Sequence, residues 1–145
     1  MEKQEFILNE SFGYHFTSIT LIIKRMMESC LKPYNLTHLQ FSILVNLYKN
    51  NVSTQKELLK YTYGDEASIT RLINRMESKG FLKRVPSIED KRKKKIILTE
   101  EGINLTEEVL SCAKEVNNSL VEDLDEKENK QLLNLLQKVH NSIKS

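Results

Sequence analysis

Residues 65–102 read DEASITRLINRMESKGFLKRVPSIEDKRKKKIILTEEG, and the rest of the chain is organised around them. Ile69, Leu72, Ile73 and Met76 fall three or four residues apart, so in a helix they share one side that must be buried. Ala67, Ser68, Thr70, Arg71, Asn74, Arg75 and Ser78 fall on the other side, which is small, polar and basic. Asp65 suits the N-cap, where a carboxylate receives otherwise unpaired backbone N–H groups. Gly80 suits the stop, since glycine adopts the left-handed conformation of a C-terminal cap without steric cost. Two strand-like runs follow, Phe81 to Val85 and Lys94 to Leu98, around a polar turn opened by Pro86.

Outward from this stretch the pattern is helical. A long helix is expected from Glu5 to Leu31, with Phe12, Phe16, Ile19, Ile23, Met26 and Cys30 at spacings of 4, 3, 4, 3 and 4 forming one seam. Leu8, Ile22 and Met27 widen it. Lys32-Pro33-Tyr34-Asn35 breaks it, because the residue before proline is driven out of helical geometry. Thr37 with Gln40, and Thr54 with Glu57, read as capping boxes opening two further helices. The first buries Phe41, Leu44, Val45 and Tyr48 and ends at Asn50-Asn51. The second runs from Gln55 to Tyr61 with Leu58 and Leu59 inward, and Thr62-Tyr63-Gly64 turns into the Asp65 helix. Beyond the hairpin, Thr99 caps a helix carrying Leu105, Val109, Cys112, Val116 and Leu120 on one stripe. Glu100 and Glu101 in its first turn suit the positive end of the helix dipole. Asp123 to Asp125 interrupts, and Glu126 to Ile143 closes the chain with Leu132, Leu136, Val139 and Ile143 in line.

Length and composition bound the function. A chain of 145 residues with 39% hydrophobic and 29% charged residues fits one globular domain. No apolar run reaches the roughly 18 to 20 residues that span a bilayer, and MEKQEF lacks the form of a signal peptide, so a cytoplasmic protein is expected. Cys30 and Cys112 have neither CxxC spacing nor histidine neighbours and read as separate small core residues in a reducing compartment. His15, His38 and His140 form no metal-ligand pattern. Neither a phosphate-cradling loop nor a nucleophile motif is present, so neither an enzyme nor a cofactor is expected. The net charge of +2 is unevenly spread. Residues 53–98 hold 12 Lys and Arg against 6 Asp and Glu, residues 99–145 hold 5 against 10, and residues 1–52 hold 5 against 4. A compact basic segment is an electrostatic footprint for a polyanion.

Two short helices, a glycine-containing turn and a basic hairpin together predict a mainly α fold with a small β-hairpin wing, a winged helix-turn-helix. Thr54-Gln55-Lys56-Glu57-Leu58, Ile69 to Gly80, Asp90-Lys91-Arg92 and Leu98-Thr99-Glu100-Glu101-Gly102 follow one another at fixed spacing. In this the chain resembles the MarR (multiple antibiotic resistance regulator) transcription factors over nearly its whole length. The resemblance implies a homodimer on pseudo-palindromic double-stranded DNA, usually a repressor, often released by a small-molecule effector or an oxidant. It implies one domain over 1–145, with a DNA-binding part at 37–99 and long N- and C-terminal dimerisation helices at 5–32 and 100–145. The helix matching Asp65–Lys79 enters the major groove, the arginine matching Arg92 reaches the minor groove, and the aspartate matching Asp90 holds that arginine. Leu59-Lys60-Tyr61 departs from the family's usual alanine-containing segment. Peroxide sensing is not carried over, because Cys30 lies near the end of the first helix rather than near its start.

On chemistry alone, Arg71, Asn74 and Arg75 suit base edges, while Ser68 and Thr70 are short enough for close approach to phosphate or a thymine methyl. Lys91, Arg92 and Lys93 suit a narrow, negative minor groove, and Asp90 suits orientation of a guanidinium. Lys83, Arg84, Lys94 and Lys95 read as backbone contacts or solvated strand charges. A solvated helix face and a solvated charge run are the competing explanations. A helical protein-interaction module, or a DNA-binding protein without an operator, are the alternative functions. The apolar stripes of the end helices read as core or dimer seam, not as a membrane face, since the polar side is acidic.

Overall fold

The computed structural model describes residues 3–49 and 52–143. A 3-10 turn at Leu8–Glu10 precedes α1 (Phe12–Leu31), and α2 (His38–Lys49), α3 (Gln55–Tyr61) and α4 (Glu66–Ser78) follow. The hairpin pairs β1 (Leu82–Pro86) with β2 (Lys94–Leu98), and α5 (Glu100–Leu120) and α6 (Glu126–Ile143) complete the chain. The mainly α, winged helix-turn-helix fold expected from the sequence is the fold observed. The stop expected at Asn50-Asn51 lies outside the described residues, as do Met1, Glu2, Lys144 and Ser145 at the margins of the chain.

Local chemistry sets most boundaries. Thr37 and Gln40 bond reciprocally, backbone to side chain, at 2.9 and 3.1 Å. Thr54 Oγ1 accepts from Glu57 N at 3.1 Å, and the Glu57 carboxylate reaches back to Thr54 Oγ1 and Ser53 N. Thr99 Oγ1 accepts from Gly102 N at 3.1 Å and donates to Gly80 O. Each such cap is worth about 1 kcal/mol. Asp125 and Glu128 form one more reciprocal pair at the start of α6.

Three boundaries differ from expectation. Lys32, before Pro33, keeps helical geometry (φ −54°, ψ −43°), and a 3-10 turn at Lys32–Tyr34 prolongs α1 until Asn35 takes φ +57°. The first helix begins at Phe12, not Glu5, because Ser11 is extended (φ −85°, ψ 121°) and its hydroxyl accepts from Tyr14 N. An N-cap in that conformation ends the helix, although the apolar pattern runs on through Leu8. Pro86 does not open the turn. It is the last residue of β1, opposite Lys94, and the reversal occupies the seven residues that follow, closed by Ser87 N to Lys93 O at 2.8 Å.

The core gathers one side of α1 to α5 and of the hairpin. Met27 and Leu31 of α1, Ile43 and Leu44 of α2, Leu58 of α3, Ile69, Ile73 and Met76 of α4, Leu82 and Ile96 of the hairpin, and Val109, Cys112 and Val116 of α5 are all buried. Ile43 joins α2's buried side, whereas Val45 and Tyr48 are half-buried at its margin. Gly80 takes φ +82° at the stop of α4. Gly102 is present for another reason: a Cβ there would run into the Phe81 carbonyl. The first turn of α5 therefore lies directly on the start of β1, and Thr99 N donates to Phe81 O at 3.1 Å.

The cysteines correct the reading from sequence. Cys30 of α1 and Cys112 of α5 are joined in a disulfide, with Cα atoms 5.7 Å apart at a sequence separation of 82. Cys112 is buried in the core and Cys30 packs against it, as expected, but the two are bonded rather than free thiols. Packing of α1 on α5 brings together two positions that sequence separation gave no reason to pair.

α6 buries none of its residues. Leu132, Leu133, Leu135, Leu136, Val139 and Ile143 are all exposed. The front of α1 is also open, with Phe12 81% and Phe16 43% exposed, and Phe6, Ile7 and Leu8 ahead of it are equally uncovered. Its seam meets the core only from Ile23 onward. Among the described residues no helix is long and apolar enough to cross a membrane.

Candidate nucleic-acid interface

α4 is held at its start by Asp65, whose Oδ1 accepts from Ser68 N at 2.7 Å. The backbone and side-chain hydrogen bonds from Ser68, helped by Arg71, hold the Asp65 carboxyl below its ordinary pKa. With Ile69, Ile73 and Met76 buried, Arg71, Asn74 and Arg75 emerge on the exposed side. Arg71 Nη2 rests on Ser68 Oγ at 3.3 Å, and Ser68 is half-buried.

Thr70 differs from its neighbours. Its hydroxyl donates to Glu66 O at 2.8 Å and accepts from Gln55 Nε2 at 2.5 Å. It joins α3 to α4 rather than standing free on the outer face. Gln55, the first residue of α3, was not singled out from sequence, since a pairing between residues 15 apart leaves no periodic trace.

The wing loop is open to solvent: Ile88, Glu89, Asp90, Lys91, Arg92 and Lys93 are all exposed, Ile88 at 96%. Asp90 does restrain Arg92, but through the backbone: Asp90 Oδ1 accepts from Arg92 N at 3.0 Å. A short carboxylate reaches the N–H two residues on more readily than the end of a long side chain. Asp90 O also accepts from Lys93 N at 3.0 Å. The tip is therefore shaped by a local turn that leaves three consecutive cations, Lys91, Arg92 and Lys93, pointing outward.

Arg84 is the residue the sequence reading undervalued. Its Nη1 meets Glu77 Oε1 at 2.6 Å and its Nη2 donates to Asn74 Oδ1 at 2.9 Å, while its own backbone N–H donates to Glu77 Oε2 at 3.2 Å. This half-buried ion pair ties β1 to the last turns of α4. Opposite charges seven residues apart across a glycine stop were the available signal.

A cleft of about 420 Å³ opens between α4, α1 and α2, lined by Lys24, Glu28, His38 and Tyr63 and bordered by Arg71 and Arg75 of the exposed side of α4. The Tyr63 hydroxyl lies 2.8 Å from His38 Nδ1. Burial lowers the His38 pKa, against the pull of Glu28 and with the push of Lys24. Burial, and then Glu28, raise that of Tyr63.

Known proteins share this sequence pattern and fold. The sequence pattern of the MarR family matches residues 36–94. The chain is 30% identical over 137 residues to the HTH-type transcriptional regulator SarZ of Staphylococcus haemolyticus (strain JCSC1435), covering 94% of this chain and 91% of that protein. It is 32% identical over 107 residues to the HTH-type transcriptional repressor NicR of Pseudomonas putida (strain KT2440), covering 74% and 68%. Among solved structures, a mutant of MarR from E. coli complexed with operator DNA superposes with a TM-score of 0.76 at 28% identity, covering 93% of this chain and 99% of that one.

Proposed function

The chain belongs to the MarR family of transcriptional regulators, and on that premise we propose that it is a homodimeric repressor binding a pseudo-palindromic operator. The observation that carries this reading is the joint presentation of Arg71, Asn74 and Arg75 on α4 and Lys91, Arg92 and Lys93 on the wing, all exposed. Two α4 helices related by a twofold axis enter successive major grooves about 34 Å apart. Arg71, Asn74 and Arg75 meet base edges, Ser68 meets backbone phosphate, and Thr70 sets the position of α4 on α3. Arg92 enters the minor groove from a tip shaped by Asp90.

The remaining division of labour follows from the same premise. Residues 37–99 form the DNA-binding part, and the segments 5–32 and 100–145 form the dimer. The uncovered apolar side chains of α6 and of the front of α1 support that assignment, because a monomer leaves them in water. A small effector that fits the cleft beside Arg71 and Arg75, and prefers a dimer geometry unable to span two grooves, releases the operator by shifting populations.

The test is selection of fragments from the source genome by the purified protein, with Arg92→Ala in parallel. The expected result is a few fragments sharing an inverted repeat, lost with the variant. Uniform, salt-sensitive recovery indifferent to Arg92 overturns the reading and leaves a basic protein without an operator.

A further inference from the structure

Arg84 does more than tie the wing to α4: it commits the amide of Asn74. An arginine side chain has only donors, so the Asn74 atom 2.9 Å from Arg84 Nη2 must be the carbonyl oxygen. The usual ambiguity between the oxygen and nitrogen of an asparagine amide is thereby removed. The guanidinium is itself held by Glu77 Oε1 at 2.6 Å, and Glu77 Oε2 is held by Arg84 N at 3.2 Å. The pair is partly shielded, with side chains 24% and 38% exposed. Asn74, by contrast, is exposed.

An asparagine pairs with adenine by accepting from N6–H with its oxygen while donating to N7 with its nitrogen. Asn74 has its oxygen engaged by a charged donor, a stronger partner than a neutral base N–H. The guanidinium takes one of the oxygen's two lone pairs and turns that oxygen towards β1, which leaves the NH2 group as the part of the amide that faces a base. An outward NH2 group matches an edge that presents only acceptors, the N7 and O6 of guanine or the O4 of thymine, and is opposed by the N6–H2 donor of adenine.

Resting on the operator-binding reading above, we propose that Arg84 is a positioning residue for base recognition. Through Glu77 and Asn74 it makes α4 prefer guanine over adenine at the operator position that Asn74 faces. It touches no base itself. Because Arg84 is in β1, it also links the setting of the wing to the base preference of the helix.

The experiment is selection from a randomised inverted-repeat library with the full-length protein, Asn74→Ala, Arg84→Met and Glu77→Gln. The position at which Asn74→Ala abolishes preference identifies the base that Asn74 faces. There the wild-type protein is expected to favour guanine over adenine about tenfold or more, the range of one specific side chain–base contact. Arg84→Met frees the Asn74 oxygen and shifts that position towards adenine, leaving the other positions unchanged. Glu77→Gln keeps the fold and shifts it in the same direction by a smaller factor, since the guanidinium loses its anchor. A uniform loss of affinity in both variants with unchanged base preferences overturns the inference and makes Arg84 a purely structural tie. A wild-type preference for adenine at that position overturns it as well. Failure of the wild-type protein to select any inverted repeat is a different result and overturns the operator-binding reading together with this one.

Discussion

Two glycines in helices allow the packing of α5 on the wing to be tested with one type of substitution. Gly13 and Gly102 both lie near the start of a long helix. A methyl group on Gly13 would meet only Ser11 Oγ at 3.9 Å, whereas on Gly102 it would collide with the Phe81 carbonyl. Alanine is favoured over glycine within a helix by about 0.8 to 1 kcal/mol, so Gly13→Ala gains up to that amount. At Gly102 the same gain is opposed by overpacking, which costs about 1 to 3 kcal/mol where side chains can yield. Here the obstacle is backbone that also accepts from Thr99 N at 3.1 Å, so the cost lies at or above the top of that range. A net loss of about 2 kcal/mol or more is expected, equivalent to a fall in Tm of roughly 4 to 8 °C for a chain of this size. Thermal unfolding followed by circular dichroism, at one protomer concentration because dimerisation shifts Tm, measures both. A Gly102→Ala protein as stable as the wild type would refute the close approach of α5 to β1, and with it the account of how the wing is seated.

Other outcomes follow from the same structure. The protein as purified without reductant should have no alkylatable thiol. Reduction of Cys30–Cys112, which closes a loop of 82 residues, should lower stability by up to about 4.5 kcal/mol on the chain-entropy account; two reactive thiols in the unreduced protein would refute the linkage. Because His38 has a folded pKa lowered by burial, the unfolded chain binds more protons just below pH 6.5, so stability is full above 6.5 and falls as pH drops towards the folded value. Protonated Nδ1 can no longer accept from Tyr63. Denaturant midpoints between pH 5 and 7.5 should show this slope, and His38→Gln should flatten it; an unchanged slope refutes the role of His38. Leu136→Glu on the uncovered face of α6 should leave a monomer of 16.9 kDa by sedimentation, with operator affinity lost, and an unaltered dimer would move the seam elsewhere. Arg92→Ala should lower the dependence of log K on log salt by about one phosphate equivalent per protomer, and an unchanged slope would place Arg92 off the DNA.

What the sequence determined by itself was local. Thr37, Thr54, Asp65 and Thr99 each bond within three residues, so helix starts could be read directly, and α3 spans Gln55–Tyr61 as its sequence predicts. Gly80 needed only its own φ to end α4, and the apolar spacing of Ile69, Ile73 and Met76 was enough to say which side of α4 faces outward. Even there, competition between local signals decided the outcome: Ser11 started α1 despite the apolar run before it, and Pro86 stayed in its strand. The tertiary structure alone decided whatever depends on meetings between distant residues. Cys30 finds Cys112 only because α1 packs on α5. Thr70 leaves the outer face because Gln55 of α3 engages its hydroxyl. Arg84 changes from a solvated strand charge to the tie on Glu77 and Asn74 because the hairpin folds back along α4. Residue type and periodicity determine which side of an element is buried, but the partner of a polar group is set by geometry that only the assembled elements possess.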